Sequence, residues 1–216
     1  MIEGMFFVVE GIDGAGTTTQ VARLVERLTS KGLPAIGTRE PTSGPIGALL
    51  RQALTHRLVV PGHHGPRPPG WGTMALLFAA DRLDHLEATV LPNLQDGVSV
   101  ISDRYDLSSL AYQSATASDP AAAVEWVRRL NHHARRPDLT VVIDVPAELA
   151  AQRRAARGAA EELYEGAELQ RRLVEAYRRA EELVPGDRVA HVDGRAAPDE
   201  VADAVWAEVD RARRGG

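Results

Sequence analysis

The sequence contains no cysteine, which excludes disulfide bonds and thiolate metal sites and is compatible with the cytosol. It also has almost no lysine, since Lys31 stands alone beside 24 arginines among the 25 basic residues. No apolar run approaches the roughly 18 residues that a membrane-spanning helix needs. The formal net charge is −5, so no basic excess points to nucleic acid. We therefore expect a cytoplasmic protein that binds neither nucleic acid nor membrane.

The residues that are present are typical of one soluble globular domain. The 216 residues are 44% hydrophobic and 25% charged, and we predict a single domain over 1–216. The apolar run MFFVVE follows Met1 closely without a basic leader, so we expect no signal peptide. Segment 57–72 is rich in proline, glycine and histidine. It is predicted to be a loop, for which we have no functional account.

Strand and helix patterns alternate along the chain. Short apolar runs predict strands over 5–10, 33–38, 98–102, 139–145 and 189–192. Helical spacing predicts helices over 16–30, 45–55, 73–90 (ended by Pro92), 107–114, 120–134, 147–157, 166–183 and 198–213. Such alternation implies parallel strands joined by right-handed crossovers, and hence an open three-layer α/β/α sheet. Ligands of such a sheet bind beyond the carboxyl ends of its strands, so motifs that follow strands are the strongest candidates.

A glycine-rich stretch, GIDGAGTTTQ, follows the first predicted strand. The usual phosphate loop reads G-x-x-x-x-G-K-[ST], and Gly11, Gly16 and Thr18 fill its glycine and hydroxyl positions. The lysine position holds Thr17 instead. Glycines let backbone N–H groups approach phosphate oxygens, and a threonine hydroxyl can serve Mg²⁺. The pattern predicts a phosphate loop without its cation, although a glycine turn without a ligand has the same spacing.

Charged residues follow the other strands. Asp103 and Arg104 come directly after the third predicted strand, Arg39 follows the second, and Arg51 lies on the next helix. A carboxylate at a strand end can hold Mg²⁺-bound water, and a guanidinium that is always charged suits a phosphate. Each of these residues alone is also typical of a solvated surface charge.

Two helical pairs suit a nucleotide. Phe78 and Arg82 are four residues apart and share a helix face that could hold a nucleobase, although a core phenylalanine and a surface arginine fit the spacing too. Arg153 and Arg157, with Arg154 between them, precede a segment rich in glycine, alanine and glutamate. That segment could close over phosphates, or the arginines could pair with its glutamates on a solvated face.

Taken together, these motifs resemble the bacterial thymidylate kinase family. The resemblance covers nearly the whole chain and rests on FFVVEGIDGAG, REPTSGPIG, ALLFAADRLDH and, most specifically, DRYDLSSLAYQ. It implies transfer of the γ-phosphate of ATP to dTMP with Mg²⁺, which gives dTDP for dTTP synthesis. It also implies a P-loop kinase fold with a five-stranded parallel sheet, a helical LID over about 150–166, and a homodimer.

The resemblance further implies roles for individual residues. Phe78 should stack on thymine, Arg82 should bond its edge, and Tyr112 should crowd the sugar 2′ position. Asp13 should reach the sugar 3′-hydroxyl or the metal shell. The implied ATP-phosphate residues are Gly11, Asp13, Gly14, Ala15, Gly16, Thr17, Thr18 and Thr19. The implied dTMP residues are Asp13, Arg39, Arg51, Phe78, Arg82, Arg104, Ser108, Tyr112 and Gln113. The implied catalytic residues are Asp103, Arg104, Arg39, Arg153 and Arg157, with Thr18 and Asp103 at the Mg²⁺ and segment 193–195 beside adenine.

The chain departs from the family pattern at the phosphate loop and the LID. Thr17 replaces the lysine, Ala15 stands where one branch of the family has arginine, and 162–165 lack the arginine of the usual D-R-x-E. Three hypotheses follow. The chain is an active dTMP kinase in which arginines and backbone amides replace the lysine, a catalytically impaired nucleotide-binding relative with a regulatory or interaction role, or a kinase for another monophosphate. We favour the active kinase, because its acceptor residues look intact.

Overall fold

The structure is a computed structural model that describes residues 4–157, 163–164 and 166–215. The described residues form a five-stranded sheet in the order β2-β3-β1-β4-β5, and every neighbouring pair is parallel. The strands are β1 (Phe6–Glu10), β2 (Ala35–Arg39), β3 (Ser99–Asp103), β4 (Leu139–Asp144) and β5 (Val189–Asp193). The prediction of a five-stranded parallel sheet is therefore confirmed.

Helices cover both faces of this sheet. In the described ranges they are α1 (Thr17–Ser30), α2 (Pro45–Leu54), α3 (Trp71–His85), α4 (Leu91–Gln95), α5 (Asp106–Thr116), α6 (Pro120–Leu130), α7 (Ala147–Arg157), α8 (Ala167–Arg178), α9 (Ala180–Leu183) and α10 (Pro198–Arg213). Phe6 and Val8 of β1 pack with Leu94 of α4, whereas Phe7 belongs to the main core with Leu28 of α1. Because successive side chains of a strand point to opposite faces, β1 is buried on both sides, as a three-layer α/β/α fold requires.

One helix runs past the end that its sequence predicts. The helix predicted over 73–90 begins at Trp71, passes through a π-helical turn over Leu86–Val90, and continues as α4. The prediction that Pro92 ends it is wrong. Pro92 lies in the first turn of α4, directly after the wider π-helical turn, where a missing N–H and a fixed φ are tolerated.

Other boundaries also differ from the predictions. The helix predicted over 166–183 is interrupted, because Arg179 leaves helical dihedrals (φ −110°, ψ 32°) between α8 and α9. The helix predicted over 120–134 ends at Leu130, followed by a turn. The predicted LID falls partly on 158–162 and 165, which lie outside the described residues. Within the ranges that the structure describes, no helix has the length and apolarity to cross a membrane.

Candidate active site

The loop between β1 and α1 turns through glycines in the left-handed region. Gly14 has φ +95°, and a Cβ there would lie 2.4 Å from the carbonyl oxygen of Ala150, so glycine alone fits where α7 meets the loop. Gly16, with φ +98°, precedes α1. The first turn of α1 therefore begins at the rim of a cleft, and its N–H groups are available to an anion. Thr17, at the lysine position, is buried with 7% of its surface exposed.

Two oxygen-bearing side chains meet beside this loop. The hydroxyl of Thr18 donates to Oδ2 of Asp103 at 2.5 Å. The other carboxylate oxygen of Asp103 is buried and has no hydrogen-bond partner within the described ranges. A hard cation such as Mg²⁺ prefers oxygen ligands and keeps several waters. The unpaired oxygen therefore fits a residue that holds Mg²⁺ or its water.

A cleft of about 360 Å³ opens beside the loop and is lined by several arginines. Arg39, at the end of β2, is exposed. Arg51 of α2 donates to the carbonyl oxygen of Pro41 at 3.3 Å and to that of Thr42. The cleft is lined by Asp13, Gly14, Gly16, Thr17, Thr18, Thr19, Arg39, Glu40, Pro41, Arg51, Leu54, Thr55, Asp103 and Arg104. Its cations and amides together suit phosphate groups.

Arg104 is the most constrained cation of the cleft. Its backbone has φ +76°, which is uncommon for a residue other than glycine and often marks a functional position. Its Nη2 donates to Asp13 at 2.6 Å, and its Nη1 donates to Ser108 at 3.2 Å. Burial alone would lower the pKa of Arg104, but the neighbouring tyrosines and the Asp13 carboxylate hold it well above its usual value. Arg104 is therefore charged and fixed in place.

A second cavity, of about 110 Å³, lies next to the cleft. Its lining is mixed aromatic and polar, as a nucleoside site requires. It is lined by Asp13, Glu40, Pro41, Leu54, Phe78, Arg82, Arg104, Tyr105, Ser108, Ser109, Tyr112, Gln113 and Tyr164. The predicted base and sugar residues thus line one cavity, and after that prediction we call it the nucleoside pocket.

Arg82 is buried in the wall of the nucleoside pocket, with 1% of its surface exposed. It pairs with Glu40 at 2.7 Å and donates to Asn131 at 2.6 Å and to Ser109 at 3.1 Å. Its Nε has no hydrogen-bond partner among the residues described. Burial alone would lower the pKa of Arg82, but the charge of Glu40 raises it above its usual value. The alternative of a surface arginine is wrong, since Arg82 is a buried cation with a donor to spare.

Sequence reasoning missed Glu40 and Tyr164. Glu40 follows Arg39 in the chain, and its role as the partner of Arg82 is visible only once β2 and α3 are packed together. The ring of Tyr164 lies 5.2 Å from that of Tyr112, and its hydroxyl accepts from Gln113 at 3.4 Å. Burial raises the pKa of Tyr164 to about 12, so it stays neutral. The only signal was its place in the predicted LID.

The arginines of α7 lie in different places. Arg154 donates to the carbonyl oxygen of Asp13, in the phosphate loop, and to Gln170 at 3.4 Å. Arg153 donates to the carbonyl oxygen of Gly194 at 2.9 Å, in the segment predicted to border adenine. The side chain of Arg157 lies outside the described part of the chain. Of the two α7 arginines whose side chains are described, Arg154 is the one that lies against the phosphate loop.

Comparison with known proteins gives consistent results. The sequence model described as "Thymidylate kinase" matches residues 9–205. "Probable thymidylate kinase" of Pyrococcus horikoshii is 38% identical over 190 residues, 88% of this chain and 89% of its own length. "Thymidylate kinase" of Dinoroseobacter shibae is 39% identical over 210 residues, 95% of this chain and 96% of its own length. "Thymidylate kinase" of Nitrosomonas eutropha is 37% identical over 214 residues, which are 98% of this chain and 94% of its own length. With its parallel sheet, phosphate loop and adjoining nucleoside pocket, this chain belongs to the thymidylate kinase family.

Proposed function

We propose that this protein transfers the γ-phosphate of ATP to dTMP and so forms dTDP and ADP. Membership of the thymidylate kinase family supports this proposal. One geometric observation carries it further, because the nucleoside pocket and the phosphate cleft share part of their lining. Both cavities are lined by Asp13, Glu40, Pro41, Leu54 and Arg104. A nucleoside in the pocket would present its 5′-phosphate to the cleft, where the phosphate loop holds the donor.

The polar groups of the pocket suit thymine and deoxyribose. Arg82 offers only hydrogen-bond donors, which favours a carbonyl at the base edge over an exocyclic amino group. Phe78 supplies a flat apolar face for stacking. Tyr112 donates to Oδ2 of Asp13 at 3.0 Å, so this pair would crowd a 2′-hydroxyl and accept from a 3′-hydroxyl. Gln113 has a buried Oε1 without a partner in the described residues, and it would accept from a base N–H.

In phosphoryl transfer the protein mainly positions the donor and acceptor phosphates and stabilises their negative charge. The bond between the γ-phosphorus and ADP breaks as an oxygen of the dTMP phosphate bonds to that phosphorus, in line. Arg39, Arg51 and Arg104 would hold the acceptor phosphate. Thr18 and Asp103 would hold Mg²⁺, which when bound neutralises charge on the donor phosphates.

The positive charge that Thr17 cannot supply is proposed to come from Arg153, Arg154 and Arg157. Gly14 lies against the carbonyl of Ala150, and Arg154 is one helical turn further along α7. Arg154 already contacts the loop, and it would exchange the carbonyl of Asp13 for a phosphate oxygen when ATP binds. The LID would then close with the nucleotide, and ATP would bind weakly until it does.

The test is ADP release with dTMP as the acceptor, together with calorimetric binding of dTMP, dUMP, UMP and dCMP. We expect turnover with dTMP and the tightest binding for dTMP. Arg82→Ala should weaken dTMP binding by about 1–3 kcal/mol, because it removes a buried charge-assisted contact. Equal affinity for UMP and dTMP would refute the assignment. A relative that has lost catalysis, the alternative left open by Thr17, would bind dTMP without releasing ADP.

A further inference from the structure

Glu10 is a buried acid that the proposed reaction does not use. It ends β1, directly before the phosphate loop, and none of its surface is exposed. Its Oε1 accepts from the backbone N–H groups of Tyr105 at 2.8 Å and Ser108 at 3.1 Å. Its Oε2 accepts from the hydroxyls of Ser108 at 2.6 Å and Tyr177 at 3.0 Å. Burial makes the ionised form of a carboxyl costly, and these four donors offset that cost. The orientation of the donors therefore depends on whether Glu10 is charged.

The same two hydroxyls also touch Arg104. Its Nη1 lies 3.2 Å from the oxygen of Ser108 and 3.4 Å from that of Tyr177. A hydroxyl has one proton to donate and lone pairs with which to accept. If both protons point to Glu10, both oxygens can accept from Arg104. The two oxygens also lie 2.9 Å apart, so without an ionised Glu10 one hydroxyl would be free to donate to the other. We propose that Glu10 is a positioning residue, which orients the hydroxyls of Ser108 and Tyr177 so that they hold Arg104 towards the acceptor phosphate.

The geometry of Arg104 explains why it needs this second anchor. Asp13 holds Nη2 at 2.6 Å and leaves Nη1 to be fixed by another group. The hydroxyls directed by Glu10 fix Nη1, so the planar guanidinium is held at both ends. Tyr177 belongs to α8, the helix that follows the predicted LID, so this helix also contributes to the anchor. The inference rests on the proposed function for the reaction that Arg104 serves.

Replacing Glu10 with glutamine would reverse the direction of the hydrogen bonds between residue 10 and the hydroxyls of Ser108 and Tyr177. The amide oxygen of glutamine can accept from the two backbone N–H groups, which forces its NH₂ group towards the hydroxyls. Their lone pairs then accept from the amide, and their protons turn towards Arg104, which has only donors. Burial raises the pKa of Glu10 to about 7, partly offset by the charge of Arg104, so protonation would weaken the anchor in the same way. In the described part of the chain, the ionisable side chains around this cluster include Asp13, Tyr105, Tyr112 and Tyr177.

The experiment compares Glu10→Gln and Tyr177→Phe with the wild type, by calorimetric binding of dTMP and of ATP and by kcat. Asp203→Asn is the control, since it neutralises a carboxylate that pairs with Arg27 of α1 and has no printed contact with the residues around Glu10. Glu10→Gln should weaken dTMP binding about tenfold or more, as loss of a charge-assisted contact does. Tyr177→Phe should have a smaller effect in the same direction, and ATP binding should not change. The control should bind dTMP like the wild type.

Measuring dTMP binding from pH 5.5 to 8.5 separates positioning from a merely structural role. The affinity ratio of wild type to Glu10→Gln should approach 1 at low pH and grow as Glu10 ionises. The phosphate of dTMP titrates near pH 6 as well, but this affects both proteins and cancels in the ratio. An unchanged affinity in Glu10→Gln, a ratio constant with pH, or an equal loss of ATP binding would overturn the inference.

Failure of the wild type to bind dTMP would contradict the proposed function rather than the role of Glu10. Crystal structures of the wild type and Glu10→Gln at pH 8 would still decide the present inference. We expect the Nη1 contacts of Arg104 to be lost in the variant. Contacts that survive intact in Glu10→Gln would contradict the proposal.

Discussion

Position 17 concerns the charge of the phosphate loop rather than its course. The left-handed glycines and the contact of Gly14 with α7 set the course of the loop. Thr17 lies buried beside it, close enough that a Cβ on Gly11 would sit 3.5 Å from its Cγ2. The amides that face an anion are therefore retained. We expect that Thr17 leaves out a flexible positive charge beside the transferring phosphate, where stabilisation contributes most to the rate.

Thr17→Lys is therefore expected to raise kcat by about tenfold or more, because it restores that charge. The measurement is ADP release at saturating dTMP and ATP. Thr29→Lys, which adds the same charge on an exposed turn of α1, controls for net charge. Absent turnover in both the wild type and Thr17→Lys, with dTMP still bound, would mean that the chain has lost its chemistry.

Glu10 should also make stability depend on pH. Its pKa is about 7 in the folded protein against 4.5 ordinarily, because burial penalises the ionised form. The folded state thus holds this proton more tightly than the unfolded chain. The resulting stability is fully present below about pH 4.5 and is lost as pH rises to about 7, a change of about 3 kcal/mol. Relative to the wild type, Glu10→Gln should gain that amount in urea unfolding between pH 4.5 and 8. A difference that stays flat across this range would refute it.

Sequence reasoning at this scale identifies residue types better than their surroundings. The spacing of Phe78 and Arg82 predicts that they share a helix face, and both line the nucleoside pocket. Spacing alone could not show that Arg82 is buried, because its partner Glu40 lies on another element 42 residues away. The contacts of Arg104 with the hydroxyls of Ser108 and Tyr177 could not be predicted for the same reason. Such clusters depend on packing between distant segments, which periodicity does not encode.

Among the elements, α7 connects the predicted LID to the phosphate loop. Arg154→Ala is expected to lower kcat by about 10²-fold, the usual cost of losing one strong charge-stabilising contact, with dTMP binding retained. Arg27→Ala, which removes a surface arginine paired with Asp203, is the matched control. Normal turnover in Arg154→Ala would show that the lysine's charge is supplied elsewhere or is not needed.

The strands were predicted to within about two residues, because buried apolar runs bounded by turn residues are distinctive. Helix ends were harder to predict. Pro92 normally signals an end, but the π-helical turn before it places the proline in a fresh first turn. Arg179 interrupts a sequence with continuous helical spacing. In neither place does the local pattern indicate the observed boundary, because propensity and spacing are weak guides to where a helix ends.

At the scale of the whole molecule, the exposed apolar side chains support a homodimer. Leu76 and Leu83 lie seven residues apart on α3, with 51% and 39% of their surfaces exposed, and Leu49 of α2 is 38% exposed. We expect a dimer by light scattering at micromolar concentration. Leu76→Arg should give a monomer by placing a charge in the apolar contact. Val59→Arg changes an equally exposed apolar residue in the loop and should remain dimeric. A monomeric wild type would refute the dimer.

The position of Lys31 has a practical consequence for chemical labelling. This single lysine lies at the end of α1, where its Nζ sits 5.3 Å from the ring centroid of Trp206. It is roughly 20 Å along the helix from the phosphate loop. A nucleotide analogue that acylates an amine beside the γ-phosphate has no side chain to react with there. Surveys that detect kinases by such acylation would therefore overlook this protein even if it binds nucleotide.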